Sequence, residues 1–206
     1  EPYGGKCGKG VRTDGSLITN NAPADTSVAA PTSFTAGWVN FLKTKYGAAA
    51  DGGVRFYNLD NEPDIWFETH RDVKPTGWKY QEFRNDTIAF AAAIKAADPG
   101  AQLLGPVVNG WTYYWHGAYD GQREDWSTPD DRLANGDVPF VPWYLQQMRL
   151  HEQQNGVRLL DYLDLHYYPQ ANGVALQPAG AAATQALRLR STRSLWDPAY
   201  VDESWI

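Results

Sequence analysis

Cysteine is almost absent from this chain. Cys7 stands alone, so no disulfide can form within the chain and no cysteine-based zinc site can be assembled. Flanked by Gly4, Gly5, Gly8 and Gly10, with no His or second Cys to activate it, Cys7 reads as an inert thiol. Positive charge is also scarce. With 18 Lys and Arg against 24 Asp and Glu, the net charge is −6 and the isoelectric point is near 5.1. That balance disfavours nucleic acid as a partner, because phosphate binding relies on clustered cations. No run approaches the roughly 20 apolar residues of a membrane helix, and no basic-plus-apolar leader opens the chain, so no membrane partner is expected. No glycine-rich phosphate loop opens a helix, which disfavours a nucleotide-binding sheet. His70, His116, His151 and His166 have no short ligand spacing, and the acidic run from Asp120 to Asp125 lacks the glycine pattern of a calcium loop. No metal or cofactor is therefore expected, with room left only for structural calcium in a loop.

What the chain has in excess is aromatic residues, with 9 Trp and 12 Tyr in 206 residues. Sugars present flat C–H faces that stack on such rings, so the load suits a carbohydrate groove; a Trp-rich core with scattered surface rings accounts for it too. Otherwise the composition is that of one ordinary globular domain, 43% apolar and 20% charged.

The first 30 residues, rich in Gly, Asn, Asp, Thr and Pro, read as a long loop. A helix opens at Pro31-Thr32-Ser33, carries Phe34, Trp38, Phe41, Leu42 and Tyr46 at helical spacing, and is capped by Gly47. The run Val54 to Pro63 then begins as a buried strand and ends in acids, amides and a proline. Pro63 cannot join a sheet ladder and biases Glu62 away from helix, so Asn61 and Glu62 should stand at the strand's mouth.

A second helix spans about Trp78 to Ala97, with Tyr80, Phe83, Thr87, Ile88, Ala91 and Ile94 on one side, and stops at Asp98-Pro99-Gly100. Gln102 to Val108 is a second strand ending in Asn109-Gly110-Trp111. Trp111 to Gly136 reads as a polar and aromatic loop. Asp137 is positioned to cap a third helix bearing Phe140, Tyr144, Met148 and His151, ended by Asn155-Gly156. The third strand is read over Tyr162 to Tyr168, with Leu163, Leu165 and Tyr167 alternating with Asp164, His166 and Tyr168 before Pro169. A last helix is expected near Thr184 to Arg193. Strand and helix alternating at roughly forty-residue spacing predict βαβ units and an α/β fold. The architecture predicted is a (β/α)8 TIM barrel, with Glu62, Asn109, His166 and Tyr168 at the C-terminal ends of strands. Three strands are too few for a whole barrel, so residues 1–206 are read as the central part of one barrel domain, with the remainder of that barrel as a partner.

Glycoside hydrolysis uses two carboxyl groups, and Glu62 fits the one that protonates the leaving oxygen. Asp60, two residues back, would raise one of the two pKa values by repulsion, or else is an interior polar group that holds the strand. Asn61 can bind a sugar hydroxyl or end the strand by bonding its own backbone. His166 and Tyr168 share a face and can both reach the mouth, although a lone His is more often structural.

At Asn61-Glu62-Pro63 the sequence matches a motif of clan A glycoside hydrolases. The longer run Tyr57 to Pro63, with Trp66, Thr69-His70 and Pro75, resembles family 44 glycoside hydrolases, whose members are endoglucanases and xyloglucanases. Further matches are Gly105-Pro106, Arg158-Leu159-Leu160-Asp161, Leu163 to Pro169, Leu195-Trp196-Asp197-Pro198, and Asp202 to Ile206. The resemblance implies a secreted, retaining endo-β-1,4-glucanase built on a (β/α)8 domain. It makes Glu62 the acid/base, Asn61 a sugar or nucleophile contact, His166 and Tyr168 barrel-mouth residues, and Trp66 and Trp111 sugar platforms. In the family the nucleophile is a second Glu on a later strand, which this chain does not reach; Glu203 falls in a segment that precedes that strand. The alternative expectation is a non-catalytic glucan-binding fragment.

Overall fold

The computed structural model describes residues 10–19, 22–25, 27–124, 126–175 and 177–205. The reading of Cys7 as inert lies outside them, as does Asp125. The chain divides into two compact units, Glu1–Leu165 and His166–Ile206.

Three parallel strands run through the first unit in the order β1-β2-β3: β1 (Phe56–Asn58), β2 (Gln102–Val108) and β3 (Tyr162–Leu165). Phe56 aligns with Gln102, and Leu104 with Tyr162. Helices α1 (Thr32–Tyr46), α3 (Tyr80–Ala97) and α7 (Phe140–Asn155) are the long ones; between them lie the short α2 (Trp66–Thr69), α4 (Trp111–Trp115), α5 (Ala118–Gln122) and α6 (Asp130–Ala134). The βαβ reading therefore holds at the level of a small parallel α/β sheet.

The long helices end where their sequence says they should. Gly47 and Gly156 close α1 and α7 at φ of 91° and 69°, donating their amides to the carbonyls of Lys43 and Glu152. A side chain is strained in that left-handed region and glycine is not. Asp98 closes α3, and its buried carboxylate accepts the amides of Ala49 and Gly100.

One face of the sheet is covered. Tyr57 and Leu103 point into a core with Val39 of α1, Ala91 and Ile94 of α3, and Leu159. A second core joins Tyr80 of α3 to Val108 and to Phe140, Trp143, Tyr144 and Met148 of α7. Lys95 pairs with Asp161 at 2.7 Å, and the same carboxylate accepts the amide of Leu103, fastening α3 to the start of β3. Residues two apart along a strand share a face, so Phe56, Asn58, Tyr162 and Asp164 belong to the other side. There Phe56 meets Tyr162 edge-on at 5.8 Å, and the Asn58 amide donates to Asp164 at 3.2 Å. This side is open: Phe56 and Tyr162 are about half exposed.

Several expectations need correction. The spaced residues of α1 are covered unevenly: Leu42 packs against the core and Trp38 meets Tyr57 edge-on at 5.9 Å, yet Phe34, Trp38, Phe41 and Tyr46 are exposed, and Val39 is the helix's buried residue. Helical spacing identifies a stripe, but which stripe is covered depends on what lies opposite. Among the described residues of 111–136, three short helices, α4, α5 and α6, stand where a loop was expected. Asp137 does not cap α7; Pro139 precedes that helix, while Asp137 adopts φ 56° and pairs with Arg132. The third strand stops at Leu165, short of His166.

In the second unit, α8 (Ala182–Ser191) begins and ends two residues earlier than expected and runs into a 3-10 turn, Thr192–Leu195. Arg188 holds the preceding loop by donating to the carbonyls of Gly173, Val174, Pro178 and Ala179.

Candidate active site

Glu62 stands where β1 turns away from the sheet. The strand pairing continues past Asn58, with the Leu59 amide bonded to Leu104 O and the Glu62 amide to Val107 O, both at 2.9 Å. Glu62 then takes a left-handed conformation, φ 50° and ψ 51°, and leads into a 3-10 turn, Pro63–Ile65. Its partner Val107 is left-handed too, at φ 57°. For a β-branched residue that conformation is an outlier, and such strain concentrates at functional sites. Two non-glycine residues in this region, bonded to one another at the ends of adjacent strands, mark the place.

Around them the acids divide by role. Asp64 is 4% exposed, and its Oδ1 accepts the Asn109 amide at 2.9 Å. Sequence reasoning missed it, because its partner is a backbone amide 45 residues away and no spacing rule connects the two. Asp60 accepts the Asn61 amide at 2.7 Å. Burial pushes the Asp60 carboxyl above its ordinary value, and the Asn61 amide and nearby His70 partly offset it, so burial is the leading cause. So it is Asp60 that ties down the backbone here, and the exposed Asn61 side chain is left facing outward.

The two Trp candidates occupy different settings. Trp66 is half-buried in α2, edge-on to His70 at 4.9 Å and tilted against Trp78 at 6.3 Å. It lines a cavity of about 530 Å³ with Asp60, Pro63, His70 and Trp78. Trp111 opens α4 just beyond β2, 37% exposed, with Trp115 at 5.5 Å and Tyr114 at 5.9 Å. Burial and the charges of Asp64, Glu68 and Glu124 raise the Tyr113 hydroxyl above its ordinary value, so it stays neutral.

Behind these loops lie two further buried acids. Asp120 is 1% exposed and receives the amides of Asp131 and Arg132, capping α6 at 2.9 and 3.0 Å. Asp131 in turn receives the Tyr80 amide at 2.7 Å, at the start of α3. The acidic run that left room for calcium thus spends Asp120 on helix amides. Among the described residues no group of three or more His, Cys, Asp or Glu is arranged to hold a metal ion, and no helix is long and apolar enough to cross a membrane.

His166 and Tyr168 lie in the second unit, just after β3, their rings 6.3 Å apart and nearly perpendicular. In the same unit Glu203 makes a two-pronged ion pair with Arg190 at 2.6 and 2.9 Å and accepts the Tyr200 hydroxyl. These partners bring its carboxyl down to about 2. Burial works against ionisation of Asp202, but hydrogen bonds from Ser194, Tyr167 and Ser204 overcome it and bring that group also to about 2. Folded values below the unfolded ones stabilise above the unfolded pKa and are lost as pH falls through the folded pKa. The amides of residues 200–204, next to these contacts, should therefore lose protection as the pH drops from about 4.5 to about 2. Hydrogen exchange by mass spectrometry, corrected for intrinsic rates, checks this; constant protection across that window is the contrary result.

A family model described as glycoside hydrolase family 44 matches residues 1–171. Endoglucanase A of Paenibacillus lautus is 40% identical over 173 residues, which are 82% of this chain and 24% of that protein. The crystal structure of CelM2, a bifunctional glucanase-xylanase protein from a metagenome library, superposes with a TM-score of 0.86 at 41% identity, over 99% of this chain and 41% of that one. A Paenibacillus polymyxa family 44 xyloglucanase solved with xyloglucan gives 0.70 at 39% identity, over 83% of this chain and 33% of that one. The chain thus spans about a quarter of the length of endoglucanase A. The family match ends at residue 171, so the segments Leu195 to Pro198 and Asp202 to Ile206 lie beyond it.

Proposed function

Since the chain belongs to glycoside hydrolase family 44, we propose that it carries the acid/base half of a retaining endo-β-1,4-glucanase, with Glu62 protonating the leaving oxygen. The observation that carries the reading is Glu62 itself, left-handed, half-buried and bonded through its amide to the end of the next strand. A carboxyl fixed by its backbone at the end of a parallel strand is where barrel enzymes place chemistry. Hydrolysis then needs a second carboxyl about 5 to 5.5 Å away for retention, and no cofactor. Glu203 is not that group in this reading, because Arg190 and Tyr200 hold it in a structural ion pair.

The open face of the sheet supports the finer architecture. Phe56, Asn58, Tyr162 and Asp164 alternate along their strands with the residues of the covered face, as interior-facing residues do in a closed barrel. The remainder of that barrel would complete it. Asn61, Trp66, Trp111, His166 and Tyr168 contact the sugar chain, with the rings of Trp66 and Trp111 as platforms. The substrate is a β-1,4-glucan, as the names of the relatives suggest, and the protein acts outside the cell.

The configuration of the first product tests this. The complete protein should cleave carboxymethylcellulose or xyloglucan within the chain, and NMR should show the new reducing end appearing as the β-anomer. Release of the α-anomer first would place the two carboxyls about 6.5 to 9.5 Å apart in an inverting arrangement and remove the retaining assignment. The pairing of Glu203 also favours a second reading, a glucan-binding piece without its own nucleophile. Cleavage of either polymer by residues 1–206 alone would exclude it.

A further inference from the structure

Where β1 ends, the parallel ladder does not. In parallel pairing, residues of one strand alternately donate to and accept from the next. The Glu62 amide donates to Val107 O, and the next amide on the β2 side, that of Asn109, finds its acceptor in the Asp64 carboxylate instead of a backbone carbonyl. Pro63 and the left-handed turn at Glu62 have by then carried the backbone away. The side chain of Asp64 therefore stands in for one rung. Residues 62 and 64 on one side and 107 and 109 on the other close a ring around the turn that presents the Glu62 carboxyl.

Such a rung is costly to build. Asp64 is 4% exposed, and a buried carboxylate is tolerated only where it is hydrogen-bonded. A fold that needed only to end a strand has cheaper ways to do it. The bond to Asn109 has two consequences. It fixes the left-handed backbone of Glu62 from the far side of the turn, and it locks the end of β1 to the segment that leads through Gly110 into Trp111.

We infer that Asp64 is a positioning residue for the general acid, holding Glu62 in register with the loop after β2. This rests on the assignment of Glu62 as acid/base. Proton donation is sensitive to sub-ångström placement: a misplacement of 1 Å can cost about a hundredfold in rate. The dependence is selective, because a leaving group that departs as a stable anion needs no proton.

The experiment uses the complete protein and two substrates, a β-1,4-glucan and a dinitrophenyl β-cellobioside. Asp64→Leu keeps a similar volume and deletes the acceptor. It should lower kcat/KM on the glucan about 10- to 100-fold and on the activated cellobioside less than about threefold, with KM for the glucan little changed. Asp64→Asn, which keeps an oxygen for the Asn109 amide, should recover most of the loss. Equal falls on both substrates, or none on either, would overturn the positioning role. If the Leu variant does not fold, the Asn variant decides alone. A loss of about threefold or more confined to the glucan supports the rung, since the neutral amide oxygen is a weaker acceptor than the carboxylate. An equal loss on both substrates, or none on either, refutes it. Glu62→Gln run in parallel separates the two ideas: full glucan activity there sinks the acid assignment itself, whatever Asp64 does.

Discussion

Glu62→Gln should lower kcat/KM on unactivated β-1,4-glucan by about a hundredfold to ten-thousandfold, the range that general acid catalysis contributes. The substitution keeps the size of the side chain and leaves untouched the amide bond to Val107 that sets the turn. Thermal stability should therefore stay within about 0.5 kcal/mol, as for most substitutions outside a packed core. Loss of rate without loss of stability separates chemistry from structure. Glu62→Ala adds a second arm. On an activated aryl glycoside the first step needs no proton, the glycosyl-enzyme accumulates, and azide can take the place of the water that Glu62 no longer activates. Recovery of rate with azide and a β-glycosyl azide product would establish both the role and retention. Near-normal turnover of glucan by the Gln variant removes Glu62 from the acid/base role.

Asp120→Ala should cost about 2 to 4 kcal/mol in folding stability, seen as a lower urea midpoint with an unchanged slope. The carboxylate is buried and takes two amides at the start of α6, so its removal strands two donors at once. One of those amides belongs to Asp131, whose own carboxylate takes the amide of Tyr80. Burial raises the Asp131 carboxyl above its ordinary value, and the Tyr80 amide partly offsets it. Loosening α6 thus also loosens the start of α3, where the Tyr80 ring lies fully buried against Phe140 and Trp143. An Asp120→Ala variant as stable as wild type would show that water replaces the carboxylate at no cost.

These two acids show what sequence could and could not disclose. The place of Glu62 beyond the end of β1 was legible because its neighbours carry the information: an apolar run before it and Pro63 after it. The ends of α1, α3 and α7 were legible for the same local reason, since Gly47, Asp98-Pro99-Gly100 and Asn155-Gly156 stop a helix wherever they stand. Asp120, Asp131 and Asp64 were not. Each holds a backbone amide 11 to 51 positions away, and a carboxylate bound to a distant amide leaves no periodic trace. The helices of residues 111–136 escaped notice because five residues are barely more than one turn, too short to repeat. Likewise the spacing of the α1 rings does not say which of them are covered, because burial belongs to the pair of surfaces and not to one of them.

Val107 has one more consequence, for directed evolution. Its backbone sits where glycine would be free of penalty, at a cost of about 1 to 3 kcal/mol, while burying its side chain returns about 1.5 to 3 kcal/mol. The two nearly cancel, so a library screened for thermal tolerance alone has little reason to keep valine there or to discard it. Under the role proposed for Glu62, a screen for turnover is not indifferent, because the same peptide unit supplies the carbonyl that holds Glu62. At this position the two kinds of selection read different properties of one residue.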